Sequence, residues 1–138
     1  MAGKKSKITK IIIVAVFLLL MVGIALIIFM GKKPFKDLEI VSASVQLLPP
    51  DRTIQIVDVK ELEDLLEDVV IYNRDDSFTK YAGQAVVFTI TKSDGSQMEV
   101  TAYNPFIIID GEGYRCKYEP CEELNNYANE LLNTTSNE

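Results

Sequence analysis

The feature that constrains this chain most is an unbroken apolar segment at residues 11–30. It is twenty residues long and contains no charged side chain. At about 1.5 Å per residue, a helix of that length spans about 30 Å, the thickness of the hydrocarbon core of a bilayer. A single segment can satisfy its backbone in lipid only as a helix. We therefore predict a transmembrane helix over residues 11–30, with the lipid bilayer as its partner.

Two other interpretations of this segment are a buried core helix and a cleaved secretory signal. A domain of this size rarely encloses a helix that is apolar on every side, which disfavours the first. The apolar run is longer than the about 7–15 residues of a signal core. The residues at its end, Phe29-Met-Gly-Lys-Lys33, are also a poor match to a small-residue cleavage site. We expect the segment to be retained as an anchor.

Lysines flank the apolar segment on both sides, four before it and three after it. The positive-inside rule hardly discriminates between the two orientations by this count. The opposite topology would, however, have to translocate all four lysines of residues 1–10. We therefore predict a basic cytoplasmic tail over 1–10, a tether over 31–37, an extracytoplasmic domain over 38–133 and a disordered tail over 134–138. The predicted location is the cell membrane, crossed once.

The charge balance of the chain changes after the apolar segment. From Asp37 onward, all 20 acidic residues face only seven basic ones, a net charge of −13. Nucleic-acid binding requires a cationic patch, so we predict no nucleic-acid partner. The absence of histidine excludes imidazole bases and histidine metal ligands, and two cysteines are too few for a four-thiolate zinc site. We predict no catalytic, cofactor-binding or metal-binding residue.

Sequence periodicity beyond the tether predicts an α+β fold. Residues 40–47 alternate between apolar and polar, as a half-buried strand does, and Asp94-Gly95 is a hairpin signal. Asp58 precedes Glu61 by three, the spacing of a capping box that starts an amphipathic helix. A second amphipathic helix is expected to begin near Pro120. The predicted architecture is an antiparallel sheet with two amphipathic helices packed on one face, preceded by the transmembrane helix.

The two cysteines, Cys116 and Cys121, are separated by four residues. Outside the cell a disulfide closing this loop is the expected state, and it would join the last strand to the final helix. In a reducing compartment the pair would be free thiols. A redox-active pair is the third interpretation, but disulfide oxidoreductases separate their cysteines by two residues. We predict a structural disulfide between Cys116 and Cys121.

Tyrosine is more frequent than a plain domain requires, with six in the chain. It is favoured at recognition surfaces because it combines a rigid apolar ring with a polar tip. Alternation in the strands places most of these residues within the sheet. If the domain has a binding face, we expect it along Tyr103, Phe106, Tyr114 and Tyr118, on the last hairpin and its rim.

Several short motifs of the soluble part resemble an uncharacterised extracytoplasmic domain family of Gram-positive bacterial single-pass membrane proteins. The resemblance covers residues 37–132. It implies a surface-exposed domain and no catalytic residue, and the lack of histidine excludes the zinc helix of the membrane peptidases that carry similar stretches. The motifs are Ser42-Ala-Ser-Val45, Leu48-Pro-Pro-Asp51, Glu61-Leu-x-x-Leu-Leu66, Tyr81-x-Gly-Gln84, Tyr103-Asn-Pro-Phe106, Ile109-Asp-Gly111, Gly113-Tyr114 and Tyr118-x-Pro-Cys121.

These observations favour a non-enzymatic, membrane-anchored binding or accessory module with a membrane or envelope protein as its partner. One alternative is a sensor or regulatory ectodomain, although a ten-residue tail leaves no room for an output domain. The other is a small hydrolase that works through paired carboxylates, which would need two acids facing each other across a cleft.

Overall fold

The computed structural model describes residues 2–137 and divides into two compact units, one up to Gly31 and one from Lys32 onward. The first unit is a single helix, α1 (Ala2–Met30). Within Gly3–Met30, a window of 18 residues reaches a mean hydropathy of 3.5, and the helix is long and apolar enough to cross a membrane. The apolar helix is therefore confirmed, although it begins well before residue 11 and takes in residues 2–10 of the predicted tail.

The second unit combines seven strands with two helices. All strand pairs are antiparallel, in the order β2-β1-β4-β5-β6-β7-β3, which confirms the α+β class and the antiparallel sheet. The elements are β1 (Ile40–Leu48), β2 (Arg52–Ile56), α2 (Val59–Glu67), β3 (Ile71–Arg74), a 3₁₀ turn (Ser77–Lys80), β4 (Ala85–Lys92), β5 (Gln97–Tyr103), β6 (Phe106–Ile109), β7 (Glu112–Cys116) and α3 (Tyr118–Ser136).

The core lies along one set of alternating strand residues. The register pairs Val45 of β1 with Phe88 of β4, and Phe88 with Val100 of β5, and none of the three side chains is exposed. Leu66 of α2 and Tyr127 of α3 belong to the same cluster. The rings of Phe88 and Tyr127 stack with their centroids 6.4 Å apart. Helix α2 contacts β1 and α3, and α3 contacts β1, β2, β4 and β5.

The other set of alternating strand residues is polar. Ser44 pairs with Gln55 on one side and Thr89 on the other, and all three are exposed or half-buried. Because side chains alternate along a strand, this row is opposite to the row of Ala43 and Val45. The alternation predicted for β1 is therefore present, and it defines a polar face over the first strands of the sheet.

The first helix of the domain starts where the capping pattern predicted. The Asp58 carboxylate accepts a hydrogen bond from the Glu61 backbone N–H at 3.1 Å. Helix α3 starts at Tyr118 rather than near Pro120. Pro120 still lies in the first turn, where a missing N–H is tolerated.

The boundaries of the predicted tether and tail differ from the structure. Lys32 and Ile71 exchange two backbone hydrogen bonds, each of 2.8 Å, and Phe35 is 3% exposed in the core. The tether is thus part of the folded unit. Lys32 pairs with the edge strand β3, and the Phe35 ring is buried in the core, and both contacts are favourable. Helix α3 continues to Ser136, so residues 134–136 are helical and not disordered. Met1 and Glu138, the ends of the predicted tails, lie outside the described residues.

Candidate functional site

The four residues of the predicted binding face do not form one surface. Phe106 has no exposed area, whereas Tyr118 is 56% exposed. Tyr114 pairs with Ile107 and packs against the main core. Tyr103 pairs with Phe106, on the opposite side of the sheet from Ala102 of that core. Tyr103 and Phe106 thus lie side by side on one side of the sheet, with Phe106 covered, whereas Tyr114 packs on the other side, so the structure does not bring the four together.

Phe106 is buried under a second, smaller aromatic cluster on the side of the sheet opposite the main core. The ring centroids of Phe78 and Tyr81 lie 6.3 and 5.4 Å from that of Phe106. The Arg115 guanidinium lies 4.6 Å from the same centroid, in cation–π geometry. The segment that carries Phe78 and Tyr81 therefore folds over β6 and β7 and covers a ring that was included in the predicted binding face.

Backbone and charged contacts hold this segment in place. Arg115 Nε donates to Asp75 Oδ2 at 2.8 Å, and the Gly113 N–H donates to Asp76 Oδ1 at 2.9 Å. The Ser77 side chain and then the Arg115 guanidinium stabilise the charged form of Asp75, which lowers the pKa of this carboxyl to about 2. These ionic groups are therefore paired within the fold, and their role is to position residues 75–81.

Beside this cluster lies a pocket of about 280 Å³, at the start of β4 and the turn between β5 and β6. Two tyrosines, three amide side chains and small residues at 82–83 line it, and none of the lining side chains is charged. Tyr81 is 53% exposed and forms part of the wall. The tyrosines and amides are Tyr81, Tyr103, Gln84, Asn104 and Asn125.

An amide pair joins the sheet to α3 at the edge of this pocket. Gln84 Nε2 donates to Asn129 Oδ1 at 3.2 Å, and Asn129 Nδ2 donates to Gln84 Oε1 at 2.9 Å. Gln84 Nε2 also donates to the Pro49 carbonyl at 3.0 Å. Both polar atoms of Gln84 are thus used within the fold, so this side chain holds the wall of the pocket in position.

The predicted disulfide between Cys116 and Cys121 is not seen. Both cysteines are buried free thiols, with side chains 3.9 Å apart, whereas a disulfide bond measures about 2.05 Å. Cys121 Sγ donates to the Phe106 carbonyl at 3.6 Å. The thiol–thiol hydrogen bond lowers the pKa of Cys116 and raises that of Cys121, with burial raising the latter further. A redox role has no support in this geometry, because both cysteines are buried, with Cys121 fully so.

A second cavity, of about 340 Å³, is acidic and lies between the start of the domain and α2. Its Glu63 carboxylate accepts a hydrogen bond from the Ile40 N–H at 2.8 Å and lies 3.5 Å from Lys60 Nζ. Within residues 2–137, no three or more acidic or cysteine side chains are grouped as metal ligands would be. The Glu63 carboxylate therefore has a structural role, because it is bound to the backbone of β1.

Sequence reasoning did not identify the pocket, because neutral amides in turns have no periodicity. Two of the quoted motifs do contain it: Tyr81-x-Gly-Gln84 contributes one wall, and Tyr103-Asn-Pro-Phe106 the other. Tyr103 is the one residue of the predicted face that lines the pocket. The signal that could have located the pocket was the occurrence of these two motifs on either side of the strand hairpin, with 18 residues (85–102) between them.

No protein-family model, curated protein or solved structure matches this chain. The resemblance to an extracytoplasmic domain family therefore stays a prediction.

Proposed function

We propose that this chain is a single-pass membrane protein that holds a small acidic domain outside the cytoplasm as a non-enzymatic binding or accessory module. The N-terminus is cytoplasmic, the membrane is the cell membrane, and the partner is another membrane or envelope protein. The observation that carries the proposal is the separation of the chain into an apolar helix of 28 residues, Gly3–Met30, and a folded unit from Lys32 onward.

The proposed orientation is supported by the charges at the two ends of the span. Residues 1–10 carry four lysines and no acidic residue, whereas residues 37–138 carry a net charge of −13. Short basic segments stay on the cytoplasmic side, and long domains translocate largely regardless of charge. This asymmetry favours translocation of the acidic domain.

Binding is favoured over catalysis by the composition of the pocket lined by Tyr81 and Tyr103. Its tyrosine and amide side chains offer stacking surface and hydrogen bonds, which recognise a ligand without transferring a proton. Acid–base catalysis would need titratable groups within hydrogen-bond reach of the reacting atom. In the acidic cavity between the start of the domain and α2, the Glu63 carboxylate is instead occupied by a hydrogen bond from the Ile40 N–H.

We also infer that α2 and α3 cover the same face of the sheet and leave the polar face open. Leu62 and Leu66 of α2 share a core cluster with Leu124 and Ala128 of α3. Both helices contact β1, and they contact each other. A sheet with one polar and one packed face is the usual arrangement for an antiparallel α+β domain.

The membrane arrangement is tested by fractionation and protease protection of intact cells. The chain carries an epitope tag at the N-terminus in one strain and at the C-terminus in another. We expect both tags in the membrane fraction, loss of the C-terminal tag on adding protease to intact cells, and protection of the N-terminal tag until lysis. A soluble chain, or protection of the C-terminal tag in intact cells, would overturn the proposal.

The partner is tested by crosslinking in native membranes before solubilisation in mild detergent. We expect a discrete adduct that contains this chain and a second membrane or envelope protein. A matched strain in which α1 is replaced by an unrelated transmembrane helix distinguishes a partner of the domain from a partner of the span. Recovery of the uncrosslinked chain alone contradicts a protein partner.

A further inference from the structure

We propose that the pocket formed by Tyr81, Tyr103, Asn104 and Asn125 binds an uncharged sugar ring. The inference rests on the proposed function, because it names the class of ligand that the extracytoplasmic module would recognise. Four features of the pocket carry it: its neutrality, its aromatic wall, its free polar atoms and its size.

Neutrality distinguishes this pocket from the rest of the domain. The domain has 20 acidic residues, yet none lines this pocket, and neither does any of its basic residues. The nearby Arg115 is already paired with Asp75 at 2.8 Å. A charged ligand would need an opposite charge in the site to compensate its desolvation, so the lining selects an uncharged one.

The aromatic wall is pre-formed. Tyr81 packs against the buried Phe106 with ring centroids 5.4 Å apart and still exposes 53% of its surface. Tyr103 lines the pocket from β5, with its ring beside Gly83. The negative face of an aromatic ring attracts the polarised C–H groups on the flat side of a sugar. Two tyrosines held by the fold thus offer stacking surface at little cost in conformational entropy.

Polar atoms at the wall complement hydroxyl groups. Asn125 Nδ2 donates to the Cys121 carbonyl at 3.1 Å, and Asn104 Nδ2 donates to the Tyr118 carbonyl at 3.2 Å. These bonds orient both amides through their nitrogen atoms. Among residues 2–137, neither Asn125 Oδ1 nor the Tyr103 hydroxyl has a hydrogen-bond partner, and both atoms are available to a ligand. A hydroxyl that can accept and donate matches this mixture of groups.

The size of the pocket limits what can enter. Its volume of about 280 Å³ lies just below the range of about 300–1,000 Å³ for ligand sites. It accommodates one ring better than an extended peptide, which would need a run of successive side-chain pockets. The best match is a terminal or single neutral sugar residue of a glycan.

Position 83 provides a variant that closes the pocket. A Cβ at Gly83 would lie 3.5 Å from the Tyr103 ring, an ordinary contact, and Gly83 is exposed. Alanine should therefore be accepted, whereas Gly83→Leu should fill the space in front of Tyr103. Asn125→Ala removes a free acceptor while favouring the helix. Tyr72→Ala is the control, because Tyr72 is 40% exposed and does not line the pocket.

The test uses the full chain in phospholipid nanodiscs, free of glycolipid and of sugar-based detergent. The probes are neutral N-acetylglucosamine and glucose oligosaccharides, with tetra-alanine as the peptide comparison, followed by saturation-transfer NMR and calorimetry. We expect saturation of sugar ring protons and a Kd that rises about tenfold or more in Gly83→Leu and Asn125→Ala. Tyr72→Ala should bind within about twofold of the parent.

Three outcomes would overturn the inference: no sugar binding by the parent, unchanged sugar binding by Gly83→Leu, or binding of tetra-alanine in place of sugar. Thermal unfolding of each variant shows that a loss of binding is not a loss of fold; if Gly83→Leu unfolds, Asn125→Ala decides. Failure here leaves the protease-protection result untouched. A soluble or cytoplasmic domain would instead overturn the proposed function while the binding result stands.

Discussion

The backbone of Gly113 lies directly against the carbonyl oxygen of Asp75, so position 113 has no room for a side chain. The Asp75 N–H donates to the Gly113 carbonyl at 2.9 Å, and a Cβ at position 113 would lie 2.6 Å from the Phe78 ring. This close approach brings the segment that precedes β4 onto β7. The cover over Phe106, and with it the Tyr81 wall of the pocket, depends on it.

Gly113→Ala is expected to destabilise the domain by about 1–3 kcal/mol, as overpacking of a close contact does. Chemical denaturation of the full chain in micelles, followed by near-ultraviolet circular dichroism of its tyrosines, measures the change. Gly83→Ala is the matched control, because a Cβ there meets only ordinary contacts at 3.5 Å or more. Equal stability of the two variants would show that the segment does not pack on Gly113.

The stability of the domain should fall with acid through Asp75. Its pKa is about 2 in the folded state and 3.8 in the usual state. A carboxyl with a lowered folded-state pKa contributes stability above its unfolded pKa and loses that contribution as the pH falls through its folded pKa. The lowered pKa values of Asp76 and Asp94 act in the same direction.

Denaturation midpoints measured between pH 5 and pH 2 should therefore decrease toward acid, with the Asp75 contribution lost between about pH 4 and pH 2. The parent should be more stable than Asp75→Asn at pH 5, and this difference in stability should shrink as the pH falls to 2, because asparagine does not titrate. A variant that keeps the full pH dependence of the parent would contradict the role of Asp75.

Phe106 and Tyr118, which the sequence placed on one face, should respond differently to truncation. Phe106→Ala should cost about 3–5 kcal/mol of stability, because the ring is fully buried. Tyr118→Ala should change stability by no more than about 0.5 kcal/mol, since its side chain is largely exposed. Thermal unfolding of the two variants side by side measures this, and similar costs would mean that Phe106 is not covered.

The N-cap of α2 provides a local prediction. Asp58→Ala removes the acceptor of the Glu61 N–H and should cost about 0.5–2 kcal/mol. Asp58→Ser keeps an acceptor oxygen at the cap and should recover most of that loss. If serine were no better than alanine in denaturant titrations, the cap would not be the reason that the helix starts at Val59.

Features that depend on short stretches of chain could be predicted from the sequence. The apolar run identifies α1 by composition alone, and alternation identifies β1, because both properties repeat along neighbouring residues. The cap at Asp58 is equally local, since the donor is three residues away. These elements could be predicted without knowing which parts of the chain pack against them.

Tertiary structure decided three features: the burial of Phe106, the position of Tyr114 and the existence of the pocket. The contact that covers Phe106 joins Asp76 to Gly113, residues 37 apart, and the amide pair at the pocket joins Gln84 to Asn129, residues 45 apart. Contacts at such separations follow from strand register and loop docking, which periodicity does not encode. The amino-acid order thus determined the apolar helix and the strand and helix types, whereas the long-range packing of those elements decided which aromatic rings are buried and which line a pocket.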